Sequence, residues 1–137
     1  MIPLLTCLAF VLSVPDMSPI EDAIWAVESN RCESNCPNGD NNKARGALQI
    51  HRICFDTVKR DGETYEMVDS LEFSLEIFRR TMDRFVTKKR LKRKPKLKDM
   101  AQCWNGGGSW FKSSKKKQDN LARYWAKVKK ELDKNGS

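Results

Sequence analysis

Two carboxylates stand in settings that would drive their acidities in opposite directions: Glu28 at the end of an apolar-striped segment, and Asp40 in a run of turn-forming residues. Ile20, Ala23, Ile24 and Val27 recur at the spacing of one buried helix face, and Glu28 follows directly, so its side chain emerges at the edge of that face. Partial burial disfavours a carboxylate, and so does the negative end of a helix dipole, so both effects raise its pKa. A carboxyl still protonated near neutral pH is a general acid suited to a leaving-group oxygen, such as that of a glycosidic bond. Asp40, within Asn38-Gly39-Asp40-Asn41-Asn42, would stay solvated and ionised. Beside a general acid, such a carboxylate attacks or stabilises an oxocarbenium-like centre, or positions water. Plainer readings stand next to these. Glu28 fits a surface residue at a frayed helix end, and Asp40 fits an Asx-turn whose side chain bonds its own backbone.

The elements that must position these groups are legible in part. Ser18-Pro19-Ile20-Glu21 has the form of a capping box with Pro at the first helical position, which predicts a helix ending near Ser29. Residues 30–46 are dense in Asn, Gly, Pro and Asp, which predicts turns and a short hairpin around Asn38-Gly39. Ala47 to Ile50 reads as a short buried segment leading into a brief helix through Ile53 and Val58, with a break at Gly62. Leu71, Leu75, Phe78, Met82 and Phe85 form the clearest helical stripe. Leu97, Met100, Ala101 and Trp104 form a shorter one, ended by Gly106-Gly107-Gly108. Asp119 is placed to cap a last helix carrying Leu121, Trp125, Val128 and Leu132. The expected class is mainly α, or α+β with a minor β part: about five helices around a small turn-rich insert, in a single domain over 19–137.

Residues 1–14 carry no charge and are almost wholly apolar, and Pro15, Asp16 and Ser18 follow. This is the apolar region of a secretory signal peptide, expected over 1–18 and too short for a stable membrane anchor. A buried N-terminal helix is the alternative. The net charge of +8 at pH 7 grows with loss of the leader, which takes one carboxylate and no cation. An anionic partner is implied. Cys32, Cys36, Cys54 and Cys103 remain after Cys7 leaves, an even count that reads as two disulfides in an exported domain. Of the three connectivities, Cys32 with Cys36 and Cys54 with Cys103 is favoured, because the first staples a polar loop and the second ties distant elements. Four cysteines also suggest zinc, but no CxxC pair occurs and the chain has one His. No metal or organic cofactor is implied.

Three short motifs accompany Glu28: Glu28-Ser29, then Gly46-Ala47-Leu48-Gln49-Ile50, then Trp104-Asn105-Gly106-Gly107. Their types and order resemble the lysozyme and lytic transglycosylase superfamily, with its Glu-Ser at a helix end, Gly-x-x-Gln-Ile segment and aromatic-Asn-x-Gly turn. The ending, a Lys-rich turn before Tyr124-Trp125-Ala126-Lys127-Val128, is similar to that of the invertebrate-type lysozymes, as is Val-Glu-Ser on the first helix with an Asp a dozen residues on. The cysteines are fewer than is usual there. The resemblance covers roughly 20–130. It implies a muramidase that cleaves the β-1,4 bond between N-acetylmuramate and N-acetylglucosamine in the glycan strands of peptidoglycan, with Glu28 as acid and Asp40 as second carboxylate. It implies substrate contacts from Ser29, Gln49, Asn105 and Tyr124.

Alternatives remain at several of these positions. Gln49 fits a buried amide satisfied by backbone, Asn105 fits a helix C-cap with positive φ, and Trp104 fits the core more readily than Tyr124, which lies off the Leu121/Trp125 face. His51 reads as peripheral, although Ser29 with His51 raises the question of isopeptidase activity. Residues 88–98 hold eight Lys or Arg among eleven. In an exported protein such a run suits anionic bacterial surface polymers better than nucleic acid. A lytic transglycosylase, a chitinase and a non-enzymatic cationic wall binder are the rival functions. A secreted monomer is expected.

Overall fold

A computed structural model describes residues 14–135, so the expected leader, apart from 14–18, lies outside the described residues. Helix α1 spans Pro19–Ser29 and begins as a capping box: the Glu21 amide donates to Ser18 Oγ at 3.4 Å, and the Ser18 amide donates to Glu21 Oε1 at 2.8 Å. The same Glu21 carboxylate is buried and accepts from Arg79 Nε at 2.7 Å and Nη2 at 3.1 Å. One residue thus starts the first helix and fastens it to a helix far along the chain. At its other end, Asn30 and Arg31 take left-handed φ values of 53° and 58°, which turns the chain sharply after Glu28.

The β part is a two-stranded antiparallel sheet, β1 (Ala44–Arg45) and β2 (Ile50–His51), in which Ala44 pairs with His51 and Arg45 with Ile50. A further bridge joins Gly39 to Ala44. The tight turn therefore runs through Asp40, Asn41, Asn42 and Lys43, rather than around Asn38-Gly39 as expected. Asp40, Asn41 and Asn42 all lie at positive φ, from 50° to 66°. Asp and Asn reach that region more readily than other side chains, so the run turns without a glycine.

Helix α2 (Arg52–Val58) follows β2 directly, then a 3-10 turn at Tyr65–Asp69 leads into α3 (Leu71–Phe85), capped by the Ser70 hydroxyl. Leu71, Leu75, Phe78 and Met82 are buried as the stripe predicts, together with Ile77. A four-residue helix, α4 (Lys88–Leu91), precedes α5 (Leu97–Gly106), a second 3-10 turn at Trp110–Lys112, and α6 (Lys115–Asn135). The described residues thus hold six α-helices, α4 being the one not anticipated. Helix α6 starts four residues before Asp119, where Ser114 Oγ accepts from the Lys117 amide at 3.4 Å. Three lysines at its start hide that boundary from a pattern reading.

The apolar faces of α1, α3, α5 and α6 meet in one core that includes Ile24, Leu48, Phe55, Phe78, Trp110 and Leu121. Helix α1 packs chiefly on α6, and α5 also lies against both. The mainly α arrangement with a minor β part, in one compact unit, agrees with expectation. Gly46 lies at φ 80° with its backbone against Val68, and a Cβ there would come within 2.2 Å of the Val68 carbonyl oxygen. No other residue fits where the insert crosses the core. No helix among the described residues is long and apolar enough to cross a membrane.

Cys32 and Cys36 are bonded, closing the loop after α1. The other expected bridge is corrected: Cys54 and Cys103 are free thiols. They line a common pocket, yet Cys54 Sγ is turned to Thr81 Oγ1 at 3.6 Å and Cys103 is buried in the core. Burial pushes both thiols up, Cys103 to about 12, so neither is ionised at neutral pH.

Candidate active site

The C-terminal end of α1 places Glu28 at a cleft of about 370 Å³, lined by Glu28, Gly39, Asp40, Ala44, Gln49, His51, Trp104 and Asn105. Three separate elements supply these side chains: α1, the β insert and α5. Glu28 Oε1 accepts a hydrogen bond from the Tyr124 hydroxyl of α6 at 2.7 Å. Burial raises the Glu28 pKa to about 7, against the smaller lowering effects of the Tyr124 hydrogen bond and the Lys127 charge. Desolvation wins because the carboxylate gives up more hydration than one hydroxyl and one exposed ammonium return. The Tyr124 hydroxyl meets Oε1 and not Oε2. No protein-family model matches the chain, and no curated protein matches it. The site therefore rests on its own geometry.

Asp40 faces the same cleft from the turn. Its side chain is 61% exposed, and Oδ2 lies 3.3 Å from His51 Nε2. The two carboxylates therefore occupy different environments, one desolvated and one wet, which is the arrangement that separates acid from base or nucleophile.

The remaining expected contacts divide. Asn105 is exposed on the cleft wall, within α5 and without positive φ; the cap role falls to Gly107, at φ 88°. Trp104 also lines the cleft, its indole Nε1 donating to the Leu48 carbonyl at 3.2 Å. Tyr124, expected on the sugar side, is instead buried and spent on Glu28, and its own pKa is raised by burial and by that carboxylate. The signal was present: Leu121, Tyr124 and Val128 share one face at i, i+3, i+7, and all three are buried.

Ser29 is likewise engaged within the fold. Its hydroxyl donates to the Ala47 carbonyl at 2.6 Å and accepts from the Cys32 amide at 3.2 Å, tying α1 to the insert. That hydroxyl is not free to serve as a nucleophile for His51, which removes the geometry for a Ser-His pair. Gln49, at φ 52°, accepts from the Gly39 amide at 2.8 Å and donates to the carbonyls of Pro37 and Gly46 at 3.0 and 2.9 Å. Its amide pins the Pro37–Gly39 segment that leads into Asp40. A Cβ at Gly39 would come within 2.3 Å of Gln49 Oε1, so a side chain there would displace that amide. His51, expected to be peripheral, stands in the cleft against Asp40.

The basic run is less uniform than its composition. Arg90 Nη1 donates to the carbonyls of Phe85 and Gly108, and Arg93 forms a paired bond to the buried Asp99 carboxylate at 2.7 Å. These two arginines hold the segment in place, while Lys88, Lys89, Lys92, Lys94, Lys96 and Lys98 are exposed.

Proposed function

We propose that this chain is a glycoside hydrolase of the lysozyme-like superfamily, a muramidase acting on the β-1,4 bonds of peptidoglycan. The observation that carries the reading is Glu28: a desolvated carboxyl with a pKa of about 7, at the mouth of a polar cleft and held by Tyr124. Its neutral form donates a proton to the glycosidic oxygen as the bond lengthens. Asp40 then serves the developing positive charge at the sugar carbon, or the incoming water, from the wetter side of the cleft. Asn105 and Trp104 are the cleft-wall groups best placed to meet a sugar. The exposed lysines of 88–98 draw the protein to anionic wall polymers, through rate and local concentration. Secretion as a monomer completes the proposal.

The decisive experiment is turbidity clearing of purified bacterial wall by the wild-type and Glu28→Gln proteins. Clearing by the wild type alone is expected. Equal clearing by both defeats the assignment, and killing that survives the substitution but vanishes in high salt points to a cationic binder instead. The exposure of Asp40 favours one second reading, a lytic transglycosylase, which needs only the Glu. Mass spectrometry of the released muropeptides separates the two: 1,6-anhydro ends with near-normal turnover in Asp40→Asn mark the transglycosylase.

A further inference from the structure

We infer that His51 is a positioning residue for Asp40, and that it fixes the second carboxylate over the cleft. The inference rests on the hydrolase reading for its catalytic consequence, but its geometric content does not. Asp40 sits first in a run of three non-glycine residues at positive φ, on a turn whose side chains are exposed. A carboxylate in that setting rotates freely about two side-chain torsions unless something holds it. Among the described residues, the group that meets it is the His51 imidazole, with Nε2 at 3.3 Å from Oδ2.

The backbone and the side chain of this corner are restrained by neighbouring positions of one segment. Gln49 holds the Gly39 amide directly before Asp40, and His51, two residues on, meets the Asp40 carboxylate. The strand register makes this possible: Ala44 faces His51 across the sheet and bridges Gly39 on its other side, so both ends of the turn are brought to the His51 edge. Helix α5 closes the far wall with Trp104 and Asn105, and α1 supplies Glu28.

A reacting carboxylate must be held within a fraction of an ångström and a few tens of degrees of its productive geometry, and loops do this poorly without a supporting contact. By meeting Oδ2, His51 limits the rotation of the carboxylate. An exposed pair of this kind adds little to stability, so its value lies in orientation. His51→Ala should therefore lower turnover by about tenfold, within the range set by loss of alignment at a reacting group, while KM changes little. His51→Gln carries an N–H donor at about the reach of Nε2 and should restore most of that loss.

The experiment combines a kinetic cycle with a signal that does not depend on activity. Turnover on soluble peptidoglycan is measured for the wild type, His51→Ala, His51→Gln, Asp40→Asn and the Asp40→Asn/His51→Ala double variant. The double variant should match Asp40→Asn alone, because a positioning residue has nothing left to position. Independent losses in the double variant, or a loss in His51→Ala that appears only in KM, would overturn the inference. In parallel, the imidazole 1H–15N signals are recorded; they are unambiguous because the chain has a single His. They should move in Asp40→Asn and stay in place in Asn105→Ala. Unchanged signals in Asp40→Asn overturn the contact itself. An inactive wild type would defeat the hydrolase reading alone, and the imidazole signals still decide the contact.

Discussion

Glu28→Gln should make the protein more stable than wild type in alkaline solution, by an amount that disappears in acid. The unfolded chain releases the Glu28 proton near the ordinary value of 4.5, while the native protein holds it up to about 7. Between those limits the native state binds more protons than the unfolded state, so wild-type stability falls as pH rises. Below 4.5 both states carry the proton and the contribution is complete; above about 7 it has been lost in full. At about 1.4 kcal/mol per pH unit, this window is worth about 3 kcal/mol. A glutamine has no proton to lose and keeps an oxygen that accepts from Tyr124. Denaturant titrations of both proteins below 4.5 and above 7 check the claim, the difference in unfolding free energy growing by about 3 kcal/mol from the first condition to the second. Thermal midpoints should separate by roughly 10 °C at the alkaline end. A difference that stays constant with pH would refute the premise that Glu28 is desolvated in the native protein. The stabilised variant is also the one expected to be inactive, as when a strained functional group is removed.

Tyr124→Phe deletes the donor that favours the charged form of Glu28, so the Glu28 pKa should rise further and the alkaline limb of the kcat/KM profile should move up. A hydrogen bond to a charged group corresponds to about one to two pH units; an unmoved or downward-shifted limb counts against the arrangement. Peptide mapping of unreduced protein should find Cys32 joined to Cys36, and alkylation at neutral pH should reach Cys103 quickly only after denaturant is added, because that thiol is buried and protonated. The half-buried Cys54 should react slowly in native protein because its thiol is held protonated. A Cys54–Cys103 crosslink in native protein would contradict the structure.

The parts that could be read from sequence are those governed by local rules. Helix α1 declares itself through its capping box, and α3 through a stripe that no strand could bury on one side. The turn at Asp40 escaped because Asn-Gly is the commoner hairpin signal, while here three Asp and Asn residues share the left-handed region. The start of α6 escaped because lysines at a helix N-terminus run against the dipole preference; here the Ser114 hydroxyl and the bond from Gln118 to the Trp110 carbonyl anchor its first turns. At the site, the raised pKa of Glu28 was predictable from its place at a helix end beside an apolar face. Its partner was not, because Tyr124 lies 96 residues away and only the packing of α6 on α1 brings it to the carboxyl. Ser29 and Gln49 carry the motif but spend their polar atoms on the backbone: polar side chains at such corners satisfy nearby main-chain groups first, and sequence does not record which ones. The free thiols show the same limit, since two cysteines in one pocket are indistinguishable in sequence from two cysteines in a bridge.

The bond between Tyr124 and Glu28 also dates the appearance of the acid during synthesis. Until α6 is made, Glu28 lacks the hydroxyl that meets it and the helix against which α1 chiefly packs, so its burial is incomplete. The raised pKa therefore belongs to the assembled pair of terminal helices, and a break that lets α1 and α6 part returns Glu28 toward an ordinary acid.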